Sequence, residues 1–192
     1  MRSLPALVLL LPALAYGAPP PGARLRDGGL SIVVVTDRFR SAALQLGMEL
    51  GHTVRWGGFI ELGALWPRHA PEVFASGGGL FGIGGSLAVQ SDGAAAFLLT
   101  SELAASSLGC HGDRSTCAGI AGGKPSDQSL DLAFGEWLTR AGLRLTLLPD
   151  RTGTGIDLFL GPHWRQGIGA SPVDLPDGLG VSVALGIGFH NK

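Results

Sequence analysis

The chain has 192 residues with a formal net charge of −1; 15% of them are charged and 45% are hydrophobic. That balance provides no basic field for nucleic acid, and the length fits one domain. Glycine is abundant at 32 residues but has no collagen period, and no apolar run is long enough for a transmembrane helix. Any membrane crossing must therefore use strands.

Met1–Arg2–Ser3 gives a short positive start, and Leu4 to Ala15 is an apolar run broken only by prolines. Ala15–Tyr16–Gly17 then offers small residues at the −3 and −1 positions of a cleavage site. Residues 1–17 are expected to be an export signal removed before Ala18, which takes the charge from −1 to −2 by loss of Arg2. Residues 18–28, proline-rich and then charged, read as a disordered lead-in.

The first strand is expected at 29–36, where Ile32 to Val35 are β-branched. Residues 41–55 put Ala42, Leu44, Leu46, Met48 and Leu50 on one face and Gln45, Gly47 and Glu49 on the other. A helix would spread those leucines around its circumference, so period two wins. Gly57–Gly58 is expected to turn the chain into 58–66, with Ile60, Leu62 and Trp66 opposite Glu61 and Gly63. Residues 79–90 and 94–106 alternate again around a turn at Ser91–Asp92–Gly93. The G-x-G-x-x-G match at Gly77–Gly82 precedes a strand, not a helix, and is discarded.

Residues 128–141 are ambiguous. Leu130, Ala133, Phe134, Trp137, Leu138 and Ala141 have helical spacing, with Ser126 as a cap and Gly142 as a stop. The rival is one long strand bulged near Gly135, which sends Arg140, Gly142, Arg144 and Thr146 inward. A strand ends near 148 on either reading. Residues 154–165 set Ile156, Leu158, Leu160 and Trp164 against Asp157, Gly161 and His163.

The last strand, 179–189, alternates strictly. Leu179, Val181, Val183, Leu185, Ile187 and Phe189 share one face, and only Gly, Ser and Ala fill the other. Tiny residues suit the crowded interior of a narrow barrel whose outer wall meets lipid. At about 3.4 Å per residue and a tilt of roughly 40°, such a strand crosses an outer-membrane apolar band. Short connections at 56–58, 91–93 and 150–153 alternate with long ones at 67–78, 107–127 and 166–177; the short 37–40 link lies on the long-loop side. The expected fold is all-β: a closed up-and-down antiparallel barrel of about eight strands over 29–189, membrane-embedded, with a short tail at 190–192.

The pattern resembles the small eight-stranded outer-membrane barrels, the class containing the membrane domain of outer-membrane protein A and outer-membrane protein X. The resemblance covers roughly 29–189 and lies in pattern, not in a signature motif. It implies an outer-membrane location, lipid as a partner, and recognition of the last strand by the barrel-assembly machinery. In that family the last strand ends in an aromatic residue, and Phe189 holds the place here.

Glu49, Arg55, Glu61, Glu102, Arg140, Arg144 and Asp157 fall on the lumen-facing register and should pair with one another. Trp56, Trp66, Trp164 and Phe189 fall at strand ends, where amphipathic rings anchor at a membrane interface. Cys110 and Cys117 lie close together in an exported chain and are expected to form a loop disulfide. A zinc site through both cysteines, His111 and Asp113 matches no familiar spacing, and no metal or cofactor is expected. His163, with Ser171 and Asp157 as available partners, is the candidate for a lipid-modifying hydrolase at the rim. That reading requires a serine within hydrogen-bond reach of His163. A third reading, a secreted soluble barrel with an apolar cavity, requires the large residues to point inward. The expected role is structural, loop-displaying or weakly pore-forming, without catalysis.

Overall fold

The computed structural model describes residues 25–37, 39–51, 53–67, 77–90, 95–110, 130–147, 154–168 and 178–190. They form β1 (Leu25–Thr36), β2 (Phe39–Gly51), β3 (Val54–Pro67), β4 (Gly78–Gln90), β5 (Ala95–Cys110), β6 (Leu130–Leu147), β7 (Thr154–Ile168) and β8 (Gly178–His190). The strands join in sequence order as a closed antiparallel barrel, β1 pairing with β8 to remove both edges.

Most large aliphatic residues point outward, while small and charged residues point inward together with a minority of large apolar ones such as Val33, Leu65, Leu138 and Phe159. Leu44, Leu46, Met48, Leu160 and Leu185 are each more than half exposed, while Val33, Ala88, Ala104 and Ser182 are buried. Exposed large apolar side chains come from all eight strands. Among the described side chains the outward wall carries a single charge, Arg40, at its loop-side end. This orientation counts against the soluble, apolar-cavity reading, because it leaves an aliphatic surface exposed on every strand.

Several boundaries differ from the sequence reading. The β2–β3 connection lies between Gly51 and Val54, not at Gly57–Gly58, which sit within β3. Gly51 takes a φ of 119°, a left-handed conformation that glycine adopts without strain. Gly57 is needed for a different reason: a Cβ there would run into the Met48 carbonyl and Glu49 on β2. The pair marks a close approach of two strands rather than a turn. Trp56 is accordingly the third residue of β3 and half-buried on its outer face.

Residues 130–141 are strand. Phe134, Glu136, Leu138 and Arg140 point inward, and β6 keeps one register against both β5 and β7, with no bulge near Gly135. Ladders on two sides outweigh a local helical spacing. β1 starts at Leu25, inside the stretch read as lead-in, and His190, expected in the tail, pairs with Asp27 at the end of β8. β5 and β7 run past the expected ends at 106 and 165, to Cys110 and Ile168. The export signal, Ser171, Cys117 and the side chain of Cys110 lie outside the described residues.

Candidate functional site

The lumen is filled in layers, beginning at the rim of the short turns. There the Arg144 guanidinium grips Glu49 as a two-pronged fork, at 2.7 and 2.9 Å, and Thr146 donates to Asp157 at 2.6 Å. Above them lies a cavity of about 110 Å³ walled by Gly29, Gly47, Gly186, Phe59 and Phe159. Val33, Val35, Phe159 and Ala184, with Leu98 beside them, form an apolar layer.

The next layer is ionic. Arg140 Nη2 donates to both Glu61 oxygens, at 3.1 and 2.9 Å, and to Glu102 Oε2 at 2.8 Å. Arg140, Glu61 and Glu102 are all buried, so one guanidinium holds two carboxylates away from water. Gly82 makes room, since a Cβ there would collide with the Glu102 carboxylate. Strand register brings these three groups together: Thr100 pairs with Arg140, and Glu61 sits opposite Gly82.

Near the loop end lies a second polar network that the sequence reading missed. Arg165 Nε donates to Asp37 Oδ2 at 2.8 Å, and Nη1 donates to Glu136 Oε2 at 2.7 Å. Ser106 adds a hydroxyl bond to the same Glu136 oxygen. His163 Nε2 meets Asp37 Oδ2 at 2.8 Å, and Ser182 Oγ meets His163 Nδ1 at 3.1 Å. Asp37 also accepts from the Phe39 amide at 2.6 Å, a local turn that an aspartate favours. Phe39, Leu65, Leu108 and Phe134 form an apolar layer beside the network, with the Arg165 guanidinium 5.5 Å from the Phe39 ring centre. Glu136 could have been found by extending the Arg140–Arg144 parity backwards. Asp37 carried no signal beyond being a turn residue.

Among the described residues, His163 therefore has a serine and a carboxylate within reach, Ser182 and Asp37, and the carboxylate is not the expected Asp157; Ser171 lies outside the described residues. Asp157 lies six positions earlier on β7, roughly 20 Å away along the strand. The Ser182 side chain is fully buried between its strand neighbours Val35 and Gly161. A nucleophile must reach a substrate carbonyl, and among the described residues this buried hydroxyl bonds the imidazole. The relay clamps the β1–β2 turn to β7 and β8. Of the other candidates, Arg55 is buried in the lumen, and Trp66, Trp164 and Phe189 are exposed on the outer wall.

Burial raises the Asp37 pKa, but the His163 hydrogen bond, the Arg165 charge, the Phe39 amide and the His163 charge outweigh it, leaving the value lowered to about 2. A depressed carboxylate pKa stabilises the fold above its unfolded value near 3.8, and that stability is lost as pH falls through about 2. Acid titration of the folded barrel is expected to loosen the loop rim between about pH 4 and 2. Asp37→Asn should abolish that acid-dependent step in tryptophan fluorescence while lowering stability at neutral pH.

This geometry, a closed eight-stranded barrel with a filled lumen and an aliphatic outer wall, is the fold of the small outer-membrane barrels. One solved example of it is the N-terminal β-barrel domain of Pseudomonas aeruginosa OprF. The two superpose with a TM-score of 0.54 over 86% of this chain and 98% of that one, at 10% identity. Neisserial surface protein A (NspA) aligns at a TM-score of 0.49 and 11% identity, covering 88% of this chain and 99% of that one. No protein-family model matches the chain, and no curated protein does either.

Proposed function

We propose that the protein is an integral outer-membrane barrel without catalytic activity, which carries its long connections on a plugged lumen. The observation that carries this reading is the outer wall, aliphatic on every strand and charged only at Arg40 among the described side chains. A soluble monomer seldom exposes a contiguous apolar patch above a few hundred Å², and this one encircles the molecule. An outer wall of leucine, isoleucine and valine around an interior that holds the charged groups is the arrangement that lipid rather than water rewards.

The ion clusters Glu61–Arg140–Glu102 and Asp37–Arg165–Glu136 stand across the lumen on either side of Leu138. Planar-bilayer recording is therefore expected to show no steady conductance. Membrane fractionation tests the location: the protein should resist carbonate extraction and migrate differently on cold gels with and without boiling. A protein released by carbonate, or one whose mobility ignores boiling, would count against the reading.

Assembly supplies a further expectation. Phe189 is outward and exposed near the end of β8, where the assembly machinery is proposed to read an aromatic. A buried phenyl is worth about 2–3 kcal/mol, and an aspartate in its place would lack a partner in lipid. Phe189→Asp should sharply reduce the folded, heat-modifiable fraction, whereas deletion of Asn191 and Lys192 should leave it unchanged.

A further inference from the structure

We propose that the outer wall around Arg40, on the side of the long connections, is a docking site for the phosphate headgroup of an anionic membrane lipid. The proposal rests on the membrane location proposed above and adds which lipid the wall selects.

Arg40 is the second residue of β2, points outward and is exposed. It is the single charge among the described side chains of the wall, and no described carboxylate pairs with it. Strand register gives it two neighbours on the same face, Thr36 of β1 and Trp66 of β3. Thr36 shares the outward parity of Ile32 and Val34, and the exposed Trp66 lays its indole over Gly77. The three span two strand spacings, about 10 Å. An indole on a barrel wall sits at headgroup depth, with its body toward the acyl chains and its N–H toward water. Arg40, in the same row, stands at the depth of lipid phosphates.

The wall beneath it is shaped to let a lipid approach. The next row toward the middle of the barrel is Val34–Ala42–Ala64–Gly79, and the one after it is Ile32–Leu44–Leu62–Phe81. Ala42, Ala64 and Gly79 are small, and a Cβ built on Gly79 meets nothing nearer than the Ser107 hydroxyl at 3.7 Å. Leu44 and Leu62 are each more than half exposed, so the wall is recessed just below Arg40 and then rises again. A glycerol backbone and the first methylenes of an acyl chain fit that recess and bring the attached phosphate against the guanidinium. The fork of Arg40 offers a phosphate two N–H bonds at once, and the Thr36 hydroxyl is a third donor beside it. A zwitterionic headgroup carries its own cation next to the phosphate, which competes with Arg40, so a bare phosphate is preferred.

Phosphatidic acid is the probe, with phosphatidylcholine of the same acyl chains as the control. The folded protein in nonionic micelles is titrated with each, and bound lipid is counted by native mass spectrometry. One phosphatidic acid per barrel is expected to bind saturably, about tenfold or more tighter than phosphatidylcholine, the worth of a hydrogen bond to a charged group. Arg40→Gln should erase the difference, and Arg40→Lys, which keeps the charge without the fork, should retain part of it. Should Arg40→Gln fold poorly, Gly79→Leu, which fills the recess, replaces it in the same test. Equal binding of the two lipids would overturn the proposal, as would a preference that survives Arg40→Gln, because the site would then lie elsewhere. Displacement of the lipid by an equal concentration of inorganic phosphate would mean a site for a free anion, and would overturn it too. Heat-modifiability is read on the same sample. Its absence would sink the membrane location and this proposal together, whereas a heat-modifiable barrel without lipid preference would sink this proposal alone.

Discussion

Arg140→Leu is expected to destabilise the folded barrel by about 3–5 kcal/mol, the range for removing one partner of a buried ion pair. The guanidinium is the donor to both Glu61 and Glu102, and all three side chains are out of water. Leucine would leave two like charges facing each other at the middle of the lumen with nothing between them. The loss should therefore shrink when the carboxylates are neutralised first. In a Glu61→Gln, Glu102→Gln background, the same Arg140→Leu change is expected to cost less than half as much. Urea unfolding in micelles, read by tryptophan fluorescence, gives both numbers and their coupling. Arg144→Leu is the useful contrast, because its pair with Glu49 stands at the rim with 13% of the Arg144 side chain exposed. Water can replace part of that bond, so its loss should be milder. If Arg140→Leu cost no more than Arg144→Leu, the central cluster would be hydrated and the lumen would not be plugged there.

The same cluster shows how far the sequence could be read. Strand alternation alone sends Glu61, Glu102 and Arg140 inward, because a strand has only two faces and the large aliphatic residues occupy one of them. It also yields the strand count and the alternation of short and long connections. What alternation cannot supply is height around the barrel, which comes from the stagger between strands. The Arg140–Glu61 contact joins residues 79 positions apart and the Asp37–His163 contact joins residues 126 apart. Neither pairing is written in local spacing, so Asp157 was a reasonable partner for His163 by residue type, whereas the structure gives that place to Asp37.

β6 stayed open between helix and strand for a related reason. Leu130, Phe134, Trp137, Leu138 and Ala141 would also make a helix face, and only the flanking ladders decide the matter. Once the segment is a strand, Phe134 and Leu138 point into the lumen and Trp137 points out. Glycine was misleading in the opposite direction. Gly57–Gly58 resembles a turn in sequence because turns and close strand contacts ask for the same missing side chain.

Gly161→Val should be among the most damaging single changes in the chain. β7 carries Pro162 on its outer face, and proline donates no ladder hydrogen bond. The β6–β7 pairing accordingly skips from Arg140–His163 to Leu143–Leu160. At that gap the backbones crowd together: a Cβ on Gly161 would lie inside contact distance of the Ala141 carbonyl and the Gly142 Cα, and a Cβ on Gly142 would meet Leu160 and Gly161. The obstacles are main-chain atoms, which cannot rotate away as a side chain would. Room for valine must come from parting two strands of a closed barrel, so the cost should reach or exceed the top of the usual overpacking range of about 1–3 kcal/mol. Gly58→Ala and Gly135→Ala are the controls, since their nearest neighbours stand at ordinary contact, 3.6 Å or more. Those two changes should stay within about 1 kcal/mol of wild type, and either sign is acceptable because alanine also restricts the unfolded chain. The measurement is the folded fraction on cold gels together with urea midpoints. If Gly161→Val folded as well as Gly58→Ala, the strands would be free to separate at Pro162, and the closed β6–β7 ladder would be wrong there.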